Sequence, residues 1–391
     1  MRSNRRFLIY GSTFFIMLLL LLFISGCNKI NLKDLETKEK MEEKMENMSI
    51  KIIEGFNNPI AINLDSKDNL YVMDYKAGRI VKYNKDEWQI EGTKPKGVDI
   101  GSFNNPHSID FDNDNNLYVT EYVNNIIKKI SSNGELLGTL GVLENGELSE
   151  GYNSEQKIDG GSSQGLMKGT ATAYFDKKKE NLYVSDFGSS SILKFSKDGK
   201  FLGWIGGKQE GGVTNGWEIS GSPYHKSSDL GRFHKPHSTI SDVKENIYVV
   251  DTWNHRIQKF NKDGKFLGWI GGKQEGGVTD GWEKEGSSIQ SSQLGGFNAP
   301  ILLDFDEDEN FIVSEYGNHR IQKFSKDGKF LGWIGGKGEG GITNGWEKEG
   351  SSKSGSEKGM FLNPYDTKIR KNVLFVADTK NNRVQIIRIP D

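Results

Sequence analysis

The chain holds one cysteine, eight prolines and no bulk charge of either sign. A single thiol, Cys27, excludes an intrachain disulfide, so stability must come from packing and closure. The 51 basic and 53 acidic residues nearly cancel, which removes the broad positive field that draws proteins onto nucleic acid. No nucleophile elbow, phosphate-binding loop or cysteine/histidine cluster occurs. The turns "DNDNN" (Asp112–Asn116) and "DEDEN" (Asp306–Asn310) lack the glycine and terminal glutamate of a calcium loop and read as hairpin turns. Long hydrophobic runs are also missing, with one exception at the N-terminus.

That exception follows Arg2, Arg5 and Arg6, runs from Phe7 to Ser25 and ends in "ISGC" at Cys27. A positive segment, an apolar segment and small residues make a secretory signal. The run is also long enough to span a bilayer as an uncleaved anchor. "ISGC" resembles the lipobox of bacterial lipoproteins, which implies cleavage before Cys27 and acylation (palmitate) of its side chain. The expectation is therefore a signal peptide over 1–26 and a lipidated Cys27 with a Lys/Glu-rich tether over 27–48. The folded part, 49–391, would then be extracytoplasmic and held on a bacterial cell membrane by its lipid.

What the chain has in plenty is glycine, 48 residues, and a repeated phrase. "KDGKFLGWIGGKQEGGVTNGWE" at Lys197–Glu218 returns almost unchanged at Lys262–Glu283 and Lys326–Glu347. A second phrase, "G-x-F-x-x-P", appears as "GSFNNPHSIDFD" at Gly101, "GRFHKPHSTISD" at Gly231 and "GGFNAPILLDFD" at Gly295. The copy at Gly165 has lost the proline. Anchors Phe56, Phe103, Met167, Phe233, Phe297 and Phe361 step by 47, 64, 66, 64 and 64 residues, the period of a stacked or radial array. Each unit reads as four strands: an apolar strand after the proline, "NIYVVD", "HRIQKF" and "KFLGWIGG", with a "KDG" hairpin before the last.

The phrases resemble the NHL repeat, "P-x-x-I-x-x-D…N-x-Y-V-x-D-x-x-N-x-R-I-Q-x-F". The resemblance implies an all-β, six-bladed β-propeller of four-stranded blades. The last unit stops one strand short after "NNRVQIIRI", and "SIKIIEG" at Ser49–Gly55 can supply the missing outer strand and latch the ring.

An acidic residue ends the second strand of every unit: Asp74, Glu121, Asp186, Asp251, Glu315 and Asp378. Arg79, Arg256, Arg320 and Arg383 stand five residues later. Sixfold repetition makes these acids structural devices that accept N–H bonds from the following turn and pair with arginine. His255 and His319, in "NHR" phrases, read as turn surface. Trp204, Trp269 and Trp333 are equivalent packing residues of the outer strand. The inserted loops carry Trp217, Trp282 and Trp346, as anchors or as a stacking surface on one face of the ring.

Unrepeated chemistry sits just after the proline step, where the units read Ile60, His107, Thr170, His237, Ile301 and Tyr365. His107, His237 and Tyr365 fall on alternate blades, so their side chains can converge on the axis. "NPHSID" and "KPHSTI" also resemble the metal-binding positions of the peptidyl-hydroxyglycine lyase propeller. That implies His107 and His237 as ligands of zinc or another divalent metal, with Tyr365 in third place; His225 and His234 lie close by in sequence, and His234, three residues before His237, can approach the channel rim as a substitute ligand. The other reading is a polar channel lined by two histidines. The expected function is a monomeric recognition propeller for a protein, peptide or carbohydrate, without nucleic acid. The alternative is a metal-dependent, lyase-like enzyme.

Overall fold

The computed structural model describes residues 49–86, 98–143, 147–152, 166–223 and 226–390. The expected signal peptide, Cys27, the tether and His225 lie outside the described residues.

Six antiparallel sheets succeed one another along residues 49–390. Blade one runs Pro59–Leu64, Leu70–Asp74, Arg79–Tyr83 and Val98–Ser102. Blade six runs Pro364–Arg370, Val373–Asp378 and Arg383–Arg388. Its outer strand is Ser49–Ile53 from the other end of the chain, paired in register from Ser49 opposite Arg388 to Ile53 opposite Val384. This is the expected latch. Blades four and five each gain a short fifth strand, Ser288–Ile289 and Ser352–Lys353.

Strand residues alternate between the two neighbours of their blade. In Leu70–Asp74, Leu70 and Val72 pack toward blade six while Tyr71 and Met73 pack toward blade two. The core is thus six interfaces, one for each pair of adjacent blades, and each is a cluster of buried Ile, Val, Leu, Phe and Tyr.

The first strand of each blade is an edge facing the axis, and its N–H groups need partners. Neighbouring blades supply them. Asp366 accepts from Ile62 N–H at 2.7 Å, Asp110 from Phe175 N–H at 2.7 Å and Asp304 from Ile369 N–H at 2.9 Å. Carboxylates inside the channel are therefore stitches between inner strands.

The inner strands of blades one, two, three, five and six also begin with a bulge. Pairing slips between Pro59 and Ala61, between Pro106 and Ser108, and between Pro364 and Thr367. A bulge releases one residue from the pleat and re-aims its side chain, which is how His107, Ile301 and Tyr365 turn to the channel mouth. Blade three departs from the expected alignment. Thr170 pairs with Asp186 as Pro106 pairs with Glu121, so Thr170 stands in the proline's place. Ala171 occupies the position equivalent to His107.

Candidate functional site: an aromatic cup at the channel mouth

The six repeated acids are all buried. Each accepts an N–H from the residue after the aromatic or methionine anchor: Asn57, Asn104, Lys168, His234, Asn298 and Leu362. These donors lie in the loop that enters the blade, not in the following turn as expected, because the second strand ends alongside that loop. Turn side chains complete the shell, such as Asn254 on Asp251 at 2.9 Å. Arginine pairs with the acid in blades one, four, five and six, and Lys128 takes its part in blade two. Blade three has serine at the arginine position, and Asp186 is held by Lys168 N–H and the Ser189 hydroxyl. Burial pushes Asp186, Asp251, Glu315 and Asp378 up from the usual carboxylate range, against the hydrogen bonds that pull them down.

This frame sets the position of the residue after each acid. Tyr75, Tyr122, Phe187 and Tyr316 come directly after it, and Trp253 comes one residue later in blade four. With His107, His237 and Tyr365, four of these rings (Tyr122, Phe187, Trp253 and Tyr316) surround a cup of about 540 Å³, completed by Ala171, Thr252, His255, Ala299 and Ile301, while Tyr75 backs His107 from outside the lining. Tyr75 meets the His107 ring edge-on at 5.5 Å and Tyr122 stacks on it at 5.0 Å. Phe187 meets His237 edge-on at 6.0 Å. The sequence carried a signal for these rings, "DY", "EY", "DF" and "EY", but it lies one letter beyond the repeated acid. Below, Tyr174, Ile301 and Leu302 are buried together and packed against Tyr316 and Tyr365, giving the cup a floor.

The structure brings the expected trio together. The Tyr365 hydroxyl and His237 Nε2 are hydrogen-bonded at 2.7 Å, and the His107 and His237 rings stack at 6.0 Å. Desolvation lowers His107 to about 4. Desolvation, and then repulsion from His107, lowers His237 to about 3. Burial raises the Tyr365 phenol. All three are therefore neutral near pH 7. As a donor set they are two imidazoles and a protonated phenol already bonded to one of them. No group of three His, Cys, Asp or Glu side chains is placed to hold a metal among the described residues. The trio fits a hydrogen-bonding cluster better than a three-ligand metal centre.

Other expected residues lie elsewhere. The tryptophan loops do not crown the mouth; they fold back antiparallel on their outer strands, with Trp204 bridging Glu218 and Trp269 bridging Glu283. The glycine pair Gly276–Gly277, with φ of +102° and +77°, makes the tight reversal. Trp217 consequently stacks on Tyr183 at 5.7 Å and donates its indole N–H to Lys262 O at 3.0 Å. Trp282 donates to Lys326 O at 3.0 Å, and Trp346 packs on the cluster between blades five and six. All three are wedges between blades, and Trp217 and Trp282 reach the hairpin turns at the opposite end from the cup. His255 and His319 are more than turn surface: their Nδ1 atoms accept the N–H of Ala299 and Asn363 in the next blade, each at 3.0 Å. His234 meets Trp253 edge-on at 5.2 Å on the rim, and it does not join the trio.

Residues 233–260 match the NHL repeat. No curated protein matches the chain. Among solved structures, a protein of unknown function from Bacteroides thetaiotaomicron is 14% identical, covering 87% of this chain and 76% of its own, at a TM-score of 0.52. A streptogramin B lyase is 10% identical over 88% of this chain and 98% of its own, at 0.50. An auxiliary nutrient binding protein, also from Bacteroides thetaiotaomicron, is 13% identical over 86% and 70%, at 0.49. Likeness at such identities is likeness of fold. The chain is a six-bladed β-propeller with an NHL repeat in its fourth blade.

Proposed function

We propose that this propeller is a noncatalytic recognition protein whose cup takes a flat ring of a small ligand, a peptide side chain or a sugar. One observation carries the reading: the mouth is a cup walled by Tyr122, Phe187, Trp253, Tyr316 and Tyr365 around two neutral imidazoles. Aromatic faces bind ring faces by stacking and by excluding water. Polar atoms are few but placed to orient: His107 Nδ1 and His237 Nδ1 are buried with no hydrogen-bond partner among the described residues. Among the described residues no carboxylate lines the cup, so they supply no acid/base pair of a hydrolase there.

The lipobox-like "ISGC" supports an extracytoplasmic protein, acylated at Cys27 and tethered to a bacterial membrane. Labelled palmitate should enter the wild-type chain and not Cys27→Ser; equal labelling of both would remove the anchor from the proposal.

Calorimetric titration of the full chain with phenylacetamide and with N-acetylglucosamine tests the cup. Binding of either ring, weakened by Trp253→Ala, supports it. Failure of both rings to bind overturns it. Near-stoichiometric zinc, lost in His107→Ala/His237→Ala, would favour a metal-dependent enzyme instead.

A further inference from the structure

A cation stands beside the cup's uncharged lining, against two of its rings. On the blade-four side, Lys235 sits in the entering loop, half-buried, with its ammonium 3.9 Å from the Trp253 ring centre and 4.8 Å from that of Phe187. Both rings line the cup. Two aromatic faces hold the cation in place, and among the described residues no carboxylate forms an ion pair with it. The nearby acids are engaged: Asp251 with Arg256 at 2.8 Å, and Asp186 with Lys168 N–H at 3.0 Å and Ser189. His255, which also lines the cup on this side, uses Nδ1 to accept the Ala299 N–H. Its neutral ring must then carry the proton on Nε2, as a donor.

We infer that the ring bound in this cup bears a carboxylate, which pairs with the Lys235 ammonium and accepts from His255 Nε2–H. This deepens the proposed function and rests on it. The charge count favours a monoanion over a phosphate dianion, since one ammonium stands beside the cup and the side chains that line it are neutral. A fixed, partly desolvated ammonium makes stronger hydrogen bonds to a carboxylate than to a neutral amide of the same shape.

Phenylacetate and phenylacetamide differ in that group alone, and phenyltrimethylammonium carries the opposite charge. Calorimetry on the full chain should show phenylacetate binding about tenfold tighter than phenylacetamide, with the difference shrinking as salt is raised. Lys235→Met should abolish the preference and keep the amide's affinity, while Lys235→Arg should retain it. Equal binding of acid and amide, or tighter binding of the ammonium probe, overturns the carboxylate and leaves the ring cup standing. If no probe binds, both the cup and the carboxylate are overturned.

Discussion

The Tyr365 hydroxyl and His237 Nε2 lie 2.7 Å apart, joining blades six and four across the cup although 128 residues separate them in the chain. This bond is the one polar link the described structure gives the His237 ring, whose Nδ1 is buried without a partner. Tyr365→Phe keeps the ring and removes the link, leaving a buried imidazole nitrogen unsatisfied. The expected loss of stability is about 1–3 kcal/mol, read by urea denaturation at pH 7. An unchanged midpoint would mean that the contact does not bind the blades together.

The repeated acid–arginine pairs differ in depth, and their contributions should differ accordingly. Asp251 and Arg256 are both fully buried at 2.8 Å, and the guanidinium also donates to the carbonyls of Ser228, Asp229 and Arg232. Removing it leaves a buried carboxylate without its counter-charge and takes the donor from the Ser228 and Asp229 carbonyls, while Arg232 O keeps Gln258. Arg256→Met should cost about 3–5 kcal/mol. In blade one the Arg79 side chain is 34% exposed and 3.3 Å from Asp74, so Arg79→Met should cost about 1 kcal/mol or less. The two variants, unfolded side by side in urea, check the ranking; equal losses would sink it.

The propeller was legible because its letters repeat. Strand alternation, the proline step and the acid–arginine spacing recur with a period that only a blade explains, and Ser49–Ile53 was identified as the latch by its lack of a preceding blade. The trio was legible too, since His107, His237 and Tyr365 hold one position on alternate blades. The third blade misled because no proline marks its step: Thr170 fills the proline's place, and the bulge falls on Ala171 as it falls on His107 in blade two. The tryptophan loops misled for another reason. Their direction is set by pairing with the exposed edge of an outer strand, as in Trp269 with Glu283, and such pairing has no local signature. The cup's aromatic wall was hidden because the rings lie one letter beyond the repeated acid, where blades four and six carry Thr252 and Thr379 instead, and because their convergence depends on blade curvature.

Two kinds of tryptophan can be separated by experiment. Trp282 is wedged between blades four and five, against Tyr248 and Phe311 at 5.4 and 5.9 Å. Trp253 stands on the cup rim with 52% of its surface exposed. Trp282→Ala should lower stability by about 2–3 kcal/mol and leave ring-probe affinity as it was. Trp253→Ala should shift stability by no more than about 0.5 kcal/mol and weaken the probe by up to about tenfold. Chemical denaturation and calorimetry on the same preparations check both; exchanged phenotypes would place the ligand face at the other end of the ring.

The neutral histidines should make the fold acid-sensitive. In an unfolded chain each would titrate near about 6.5, whereas in the fold desolvation lowers His107 to about 4 and His237 to about 3. Between these values the unfolded state holds more protons, so stability is full above about pH 6.5 and falls as the pH drops, by up to about 1.4 kcal/mol per unit for each ring. Asp366 works in the opposite sense. Desolvation raises it to about 7, so its contribution is full below about pH 4 and is lost as the pH rises through 7. His107→Gln/His237→Gln should therefore flatten the decline between pH 6.5 and 4, and Asp366→Asn should steepen it. Urea midpoints across that range distinguish the two effects. A wild-type slope in the double glutamine variant would show that the imidazoles are not held neutral, and the uncharged lining of the cup would have to be abandoned with them.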